Sequence, residues 1–278
     1  MNIAIGVIGY GNMGQAIARH LESAYKIYVF DKDKAKLTGL SDEDTALDIA
    51  DLLNKVDVVI LAVKPQDFEA VLNEMKRDIK SKLIISIAAG ITIRYIESII
   101  DVAKVVRAMP NIAVKTGNGV TCLSKGEFVS EDDFDFAENL FDYLGETIRI
   151  EEKMMNAATA VSGSGPGFCF DMCESMGIDA DNIDEFKRYV RENFVPLLKS
   201  AAQSVGFSLS EAEFLSVNTG NGCSSLLMET KLSVSELKRQ VTSKGGTTEA
   251  GLEVLHKGGS LEDAVKAAKK RAEELSRG

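Results

Sequence analysis

The fold class of this sequence is decided by the stretch Gly6-Val7-Ile8-Gly9-Tyr10-Gly11-Asn12-Met13-Gly14. An apolar run, Ile3–Ile8, leads into it, and a run with helical periodicity, Gln15–Ala24, follows it, so the glycines lie in a turn between a strand and a helix. Gly9 permits the tight turn, Gly11 lets the backbone approach a pyrophosphate, and Gly14 lets the helix pack closely on the strand. The stretch therefore predicts a dinucleotide-binding turn.

The residues around this turn extend the same prediction. Asn12 and Met13 stand at the helix start, where main-chain N–H groups without helical partners bind phosphate. About 20 residues further on, a second strand, Ile27–Phe30, ends in Asp31, as dinucleotide-binding folds require. The Asp31 carboxylate is expected to accept a hydrogen bond from the ribose 2′-hydroxyl.

Asp31 also bears on the choice of cofactor. A carboxylate repels the 2′-phosphate of NADPH and so favours NADH. Lys32, Lys34 and Lys36 follow at once, however, and their charges can offset that repulsion. The predicted cofactor is NADPH or NADH, with Asp31 favouring NADH.

The pattern of apolar residues divides the chain into two halves. Up to about residue 150, short β-branched runs alternate with helical stretches, which is typical of a mostly parallel, doubly wound α/β Rossmann sheet. Beyond Met154 the helical period takes over. We therefore expect a dinucleotide-binding Rossmann domain at residues 1–153 and an all-α substrate and dimerisation domain at residues 154–278. The predicted strands are Ile3–Ile8, Ile27–Phe30, Val56–Ala62, Leu83–Ile87, Lys104–Ala108, Gly119–Cys122 and Thr147–Ile150.

Composition excludes several classes of protein. A formal net charge of -10 gives no long-range attraction to nucleic acid. No apolar run reaches the roughly 20 residues that cross a bilayer, so we expect no membrane association and a cytoplasmic location. The four cysteines are expected to be reduced and buried, and with two histidines in the chain no metal site is predicted. Neither His20 nor His256 has a motif partner, so both are expected at the surface or in packing.

Four further segments resemble the pyrroline-5-carboxylate reductase family. They are Val58–Gln66 with its Val-Lys-Pro turn, Arg107-Ala108-Met109-Pro110-Asn111, Thr159-Ala160-Val161-Ser162-Gly163-Ser164-Gly165-Pro166, and Gln240–Thr248. The resemblance implies reduction of the cyclic imine 1-pyrroline-5-carboxylate to L-proline, in proline biosynthesis, by hydride transfer from NAD(P)H. It also implies a homo-oligomer, at least a dimer, whose helical domains assemble the active sites.

The resemblance assigns roles to individual residues. It implies that Ala62 and Val63 bind the cofactor and that Lys64, Pro65 and Asn111 line the nicotinamide and its ribose. Thr159 would place a hydroxyl near the imine nitrogen and Lys64 would join it as a catalytic residue, although a helical threonine often bonds its own backbone.

A glycine-rich turn at a later helix start is the candidate substrate site. Gly245, Gly246, Thr247 and Thr248 would present successive N–H groups to the substrate carboxylate. Within the Gly163–Gly167 run, glycines and a proline are expected to kink or open the backbone of a helix.

Several positions depart from the family pattern on the substrate side. Lys244 replaces a usual proline, Ala113 stands where a second proline would follow the Met-Pro-Asn motif, and Asn156 replaces a common aspartate. The stretch Gly177–Pro196 is longer than the usual connection and is expected to form an extra or extended helix. An insertion packed on the dimer surface is favoured over a new substrate pocket, because loops tolerate added length at little cost.

Two alternatives remain open from the sequence. Lys153 and Asn156, three apart on a predicted helix, are also compatible with a 3-hydroxyacid dehydrogenase. A non-catalytic dinucleotide sensor is the other alternative, but the Gly246-Thr247-Thr248 turn favours a retained carboxylate site, which a sensor does not need.

Overall fold

The computed structural model describes residues 3–79 and 81–276 of the chain. Seven strands in this part of the chain form one sheet: β1 (Ala4–Ile8), β2 (Lys26–Phe30), β3 (Val58–Leu61), β4 (Leu83–Ser86), β5 (Lys104–Pro110), β6 (Gly119–Lys125) and β7 (Gly145–Arg149). Their order across the sheet is β2-β1-β3-β4-β5-β6-β7.

The first five strands pair in parallel. Strand β1 lies between β2 and β3, and its last residue, Ile8, pairs with Phe30 on one side and Leu61 on the other. Strand β4 lies between β3 and β5, again in parallel. All residues of β3 and β4 are buried, as expected of central parallel strands. The predicted mostly parallel Rossmann sheet is confirmed.

The observed strands differ from the predicted ones only at their ends. The predicted strand Val56–Ala62 is shorter in the structure, because Val56 ends the preceding helix. The predicted strand Lys104–Ala108 continues through Met109 to Pro110.

Helices follow most strands and make up the second half of the chain. They are α1 (Asn12–Leu21), α2 (Ile49–Lys55), α3 (Phe68–Met75), α4 (Ile93–Ile99), α5 (Glu131–Asp142), α6 (Met155–Ala158), α7 (Gly165–Ser175), α8 (Ile183–Tyr189), α9 (Val195–Ser204), α10 (Leu209–Thr230), α11 (Val234–Val241), α12 (Thr247–His256) and α13 (Leu261–Leu275). Two π-helical turns, Thr159–Gly163 and Val190–Phe194, interrupt this series. No helix in the described ranges is both long and apolar enough for a membrane span.

The described residues form two compact units. The first contains the described residues up to Ala108 together with Leu123–Tyr143, and the second contains Met109–Cys122 and Leu144–Leu275. The period changes near the predicted place, since β7 ends at Arg149 and α6 begins at Met155. The single domain boundary at residue 153 stays a prediction. The two compact units are not divided at one point along the chain, because the second unit also contains the β5–β6 connection.

The stretch Gly177–Pro196 contributes to the core of the helical unit. After a 3-10 turn it forms α8, the turn Val190–Phe194 and the start of α9. Phe186 and Phe194 are fully buried, and the Phe186 ring stacks on Phe170 with centroids 6.2 Å apart. The helix predicted there is present, while its position on a dimer surface stays a prediction.

The four cysteines are free and fully buried, as predicted. Cys122 lies in the helical unit, where burial raises the pKa of its thiol to about 12. Being buried and free, all four act as small apolar packing residues.

Candidate active site

The three glycines of the turn in the first unit have different steric surroundings. Gly9 has a φ of +99°, and a Cβ there would lie 2.7 Å from the carbonyl carbon of Ala62. A Cβ at Gly14 would lie 2.1 Å from the carbonyl oxygen of Gly9, so α1 packs directly on the turn. A Cβ at Gly11 would meet nothing within 4 Å, so this position faces open space. Gly11 precedes Asn12, the first residue of α1, and no side chain caps this helix.

Asp31 connects the end of β2 to this turn. Its carboxylate is almost fully buried and accepts hydrogen bonds from the main-chain N–H of Tyr10, at 2.7 Å, and of Asp33, at 2.8 Å. The ammonium of Lys36 lies 3.1 and 3.2 Å from its two oxygens. Burial, the largest influence, favours the protonated acid, but these hydrogen bonds outweigh it and lower the pKa of Asp31. The group is therefore a carboxylate at neutral pH.

These elements enclose a cleft of about 300 Å³ at the carboxyl ends of β1, β2 and β3. Six of the predicted cofactor residues line it: Gly9, Gly11, Asp31, Ala62, Val63 and Lys64. Asn12, Met13 and Gly14 begin α1 beside it, and Pro65 begins the 3-10 turn Pro65–Asp67. An open crevice at strand carboxyl ends is where Rossmann sheets bind nucleotides.

Sequence reasoning missed one acidic residue of this cleft. Asp67 also lines it, and its carboxylate is 2.6 Å from the ammonium of Lys32. The two residues are 35 positions apart, so no local pattern could have paired them.

In the helical unit, the Ser-Gly-Ser-Gly-Pro segment opens the helix as predicted. The main chain forms a π-helical turn, in which the N–H of Ser164 bonds the carbonyl of Thr159 at 2.8 Å, and α7 starts afresh with Pro166 in its first turn. Thr159 is buried, and its hydroxyl donates to the carbonyl of Met155 at 2.9 Å. The hydroxyl proton is thus engaged, while its oxygen can still accept a hydrogen bond.

In the glycine turn before α12, hydrogen bonds hold Gly245 through both its N–H and its carbonyl group. Gly245 has a φ of +70°; its N–H donates to Oε2 of Glu249 at 2.6 Å, and its carbonyl accepts from Nε of Arg271 at 2.8 Å. The N–H of Gly246 bonds the carbonyl of Ser243. Two of the four predicted carboxylate donors are therefore engaged within the turn.

The remaining donors of this turn lie at the start of α12. Gly246 is the N-cap residue and has no side chain with which to cap the helix. The N–H groups of Thr247 and Thr248 lie in its first turn, where no carbonyl of the helix precedes them. A helix N-terminus of this kind favours a carboxylate.

The two glycine-rich segments of the helical unit meet in space. The hydroxyls of Ser164 and Thr247 lie 2.9 Å apart within hydrogen-bonding distance, although 83 positions separate them. A Cβ at Gly167 would lie 2.4 Å from the methyl carbon of Thr248, so the glycine permits close contact of α7 and α12. The predicted catalytic segment and the predicted substrate turn thus form one locus.

Asn111 lies at the end of β5 in the same unit. Its side-chain oxygen accepts from the main-chain N–H groups of Ala113 and Val120, both at 3.1 Å. Its Nδ2 is buried and makes no hydrogen bond within the described part of the chain. This donor is therefore available to a bound group, whereas Ala113, at the position of the missing proline, is simply buried.

One expectation needs correction. Lys153 and Asn156 do not share a helix, because Lys153 lies in the 3-10 turn Glu152–Met154 and pairs with Glu151 at 2.7 Å, both side chains being exposed. His256 is exposed as expected but has a partner, since its Nε2 lies 3.0 Å from the buried carboxylate of Asp171. Lys238 binds the same carboxylate at 2.9 Å. No group of three or more potential metal ligands is found among the described residues.

A Rossmann unit with an open cleft at its strand carboxyl ends, followed by a helical unit, is an architecture typical of nicotinamide-dependent oxidoreductases. Comparison with known proteins agrees. Residues 4–90 match the model "NADP oxidoreductase coenzyme F420-dependent", and residues 193–275 match "Pyrroline-5-carboxylate reductase dimerisation". The second match begins within the stretch Gly177–Pro196.

Full-length relatives identify the family. The pyrroline-5-carboxylate reductase of Aquifex aeolicus is 33% identical, over 99% of this chain and 98% of that protein. The solved structure of the Coxiella burnetii enzyme covers 100% of both chains at 31% identity, with a TM-score of 0.67. The Plasmodium falciparum enzyme, solved with NADP bound, has 27% identity and a TM-score of 0.64 over 99% of both chains. The chain belongs to the pyrroline-5-carboxylate reductase family, as the sequence motifs predicted.

Proposed function

We propose that this protein reduces 1-pyrroline-5-carboxylate to L-proline, using NADH or NADPH, as a step of proline biosynthesis. The observation that carries the substrate assignment is the contact of Ser164 with Thr247, which unites the family's two helical-unit motifs in one site. The alternative of a 3-hydroxyacid dehydrogenase loses its support, because Lys153 is an exposed residue paired with Glu151.

The cofactor side of the site fits a dinucleotide. The open space at Gly11 and the uncapped start of α1 suit the pyrophosphate, and Asp31 lies in the same cleft for the adenosine ribose. Asn111 is predicted to line the nicotinamide and its ribose, and its Nδ2, which makes no hydrogen bond within the described part of the chain, leaves a donor for a bound group. Lys64 is exposed in the cleft, so we assign it to cofactor binding rather than to proton transfer. When bound, the reduced nicotinamide supplies the hydride.

The substrate carboxylate is assigned to the start of α12. Because Gly245 and Gly246 use their N–H groups within the turn, the N–H groups of Thr247 and Thr248 are the proposed donors. A carboxylate held there anchors the ring of the imino acid beside the Thr159 segment, which contacts α12. Fixing one end of a small substrate is what hydride transfer to its other end requires.

Thr159 is proposed to bind the protonated imine as an acceptor. Its hydroxyl proton points to the Met155 carbonyl, so the oxygen presents lone pairs rather than a proton. A protonated imine carries an N–H that can donate to such an oxygen, which would favour the charged, electrophilic form. The proton itself would then come from water.

Three further properties belong to the same proposal. Asp31 favours NADH, as its buried carboxylate lies where a ribose hydroxyl would bind. The match to the dimerisation model supports a homo-oligomer of at least two subunits. Four reduced, buried cysteines and a net charge of -10 support a cytoplasmic protein without nucleic-acid or membrane partners.

The experiment is to mix the purified protein with 1-pyrroline-5-carboxylate and NADH or NADPH, and to follow the absorbance of the reduced nicotinamide. Formation of L-proline is quantified in the same samples. We expect one proline per nicotinamide oxidised. Failure of both cofactors to produce proline, in a protein that binds them, would overturn the assignment and favour the dinucleotide sensor.

A further inference from the structure

The three lysines that follow Asp31 have different partners. Lys32 pairs with Asp67 at 2.6 Å, and Lys34 donates to the carbonyl of Leu47 at 3.2 Å while lying over the Phe30 ring. Lys36 alone of the three contacts Asp31, at 3.1 and 3.2 Å from its two oxygens. Their charges are therefore not interchangeable at the ribose position.

The partners of Asp31 also differ in how firmly they are held. The N–H groups of Tyr10 and Asp33 belong to the main chain of the turn and of the strand end, so they stay with the carboxylate. Lys36 is a flexible side chain that is 42% exposed, on a short 3-10 turn, Lys34–Leu37. It can leave Asp31 without any change in the backbone.

The charges that line the cleft would allow Lys36 to exchange Asp31 for another anionic partner. Lys32, Lys36 and Lys64 face Asp31 and Asp67, so the lining is weakly positive in a chain whose net charge is -10. A ribose 2′-hydroxyl needs an acceptor, which Asp31 supplies once Lys36 moves aside. A 2′-phosphate needs a cation, and Lys36 is the one already beside the carboxylate that would repel it.

We propose that Lys36 is the residue that determines cofactor specificity: it pairs with Asp31 in the empty site, moves aside when the 2′-hydroxyl of an unmodified ribose donates to Asp31, and pairs with the 2′-phosphate when NADPH binds. This proposal takes from the proposed function only that the bound cofactor is NADH or NADPH. It predicts that the protein accepts both cofactors and that affinity for the phosphorylated one depends on Lys36.

The test measures dissociation constants by calorimetry for NADPH, NADH, 2′,5′-ADP and 5′-AMP, without substrate. In Lys36→Met, affinity for NADPH and 2′,5′-ADP should fall about tenfold or more, as expected for loss of one charge-assisted hydrogen bond. Affinity for NADH and 5′-AMP should stay within about twofold of the wild type or improve, because Asp31 then loses its competitor. Lys36→Arg should retain NADPH affinity, since it keeps the charge.

Lys34→Met is the matched control, because it removes the same charge from the same 3-10 turn without touching Asp31. Equal losses for both cofactors in Lys36→Met, no loss for either, or the same NADPH loss in Lys34→Met would each overturn the proposal. If Lys36→Met fails to fold, Lys36→Gln replaces it with the same expected and contrary outcomes. Binding of 2′,5′-ADP is measured without catalysis. A protein that lacks reductase activity would therefore contradict the proposed function but would leave the test of Lys36 intact.

Discussion

Nε of Arg271 lies 2.8 Å from the main-chain oxygen of Gly245 and donates to it, which ties α13 to the predicted substrate turn. Because the opposite side of Gly245 is held by Glu249, this residue, with its φ of +70°, is fixed through both of its peptide groups. The turn is thereby set in place before any ligand binds, which lowers the entropic cost of capturing a carboxylate.

We predict that Arg271→Met raises KM for the imino acid about three- to tenfold, in line with losing one hydrogen bond to a charged, partly exposed group. Neither kcat nor the Kd for NADH should change by more than about twofold, since Arg271 is not among the residues that line the cofactor cleft. Steady-state kinetics with each substrate varied in turn provides the measurement.

Lys270→Met is the control for Arg271→Met, as it removes a neighbouring charge, whereas the hydrogen bonds described for Gly245 go to Arg271 and Glu249. Arg271→Lys should recover part of the loss. A change of kcat alone, with KM unaltered, would contradict a positioning role.

The glycines of the dinucleotide turn give a second, paired prediction. Gly14→Ala places a Cβ 2.1 Å from a main-chain oxygen and should destabilise the fold by about 1–3 kcal/mol or more. Gly11→Ala places a Cβ in open space, at a φ of -81° that any residue adopts, and should cost less than about 1 kcal/mol. It should nevertheless weaken NADH binding strongly, because the methyl group occupies the approach of the pyrophosphate.

Urea unfolding and cofactor titration of the two variants, side by side, distinguish these roles. If Gly11→Ala lost stability while keeping its cofactor affinity, the open space at Gly11 would have no ligand-binding purpose.

Asp31 gives a prediction about pH. Its folded-state pKa is lowered, so its contribution to stability is fully present above the unfolded value, about 4, and is lost as pH falls through the folded value. Asp31→Asn should therefore lower Tm at pH 7, and the difference from the wild type should shrink below about pH 4. Asp42→Asn, an exposed aspartate of the same unit, is the control. A difference that grew as the pH fell would contradict the predicted sign.

Much of the first unit was predictable because its signals are local. The parallel strands are continuous β-branched runs, and the glycine turn and Asp31 stand at spacings that the backbone geometry of a βαβ unit dictates. Which lysine meets Asp31 was not predictable, since it depends on how the 3-10 turn Lys34–Leu37 directs its side chains.

In the predicted substrate turn, the contacts between residues close in sequence could be predicted, whereas those between distant residues could not. Glu249 is the third residue of α12 and reaches back to the N–H of Gly245, a spacing that resembles a capping box and could have been recognised. Arg271 is 26 positions from Gly245, and Ser164 is 83 positions from Thr247, so both contacts arise only from tertiary packing.

Thr159 provides the sharpest test of the chemistry. Thr159→Val keeps the shape but removes the acceptor proposed for the protonated imine, so kcat should fall about tenfold or more while the Kd for NADH stays unchanged. Loss of the bond to Met155 should cost only about 1 kcal/mol in stability, because that carbonyl belongs to the helix. Thr159→Ser should retain most of the activity, and Ser175→Ala, which removes a similar hydroxyl-to-carbonyl bond elsewhere in the unit, should leave kcat unaltered. Full activity in Thr159→Val would mean that the hydroxyl serves the helix alone, and that water or the turn at Thr247 contacts the imine nitrogen instead.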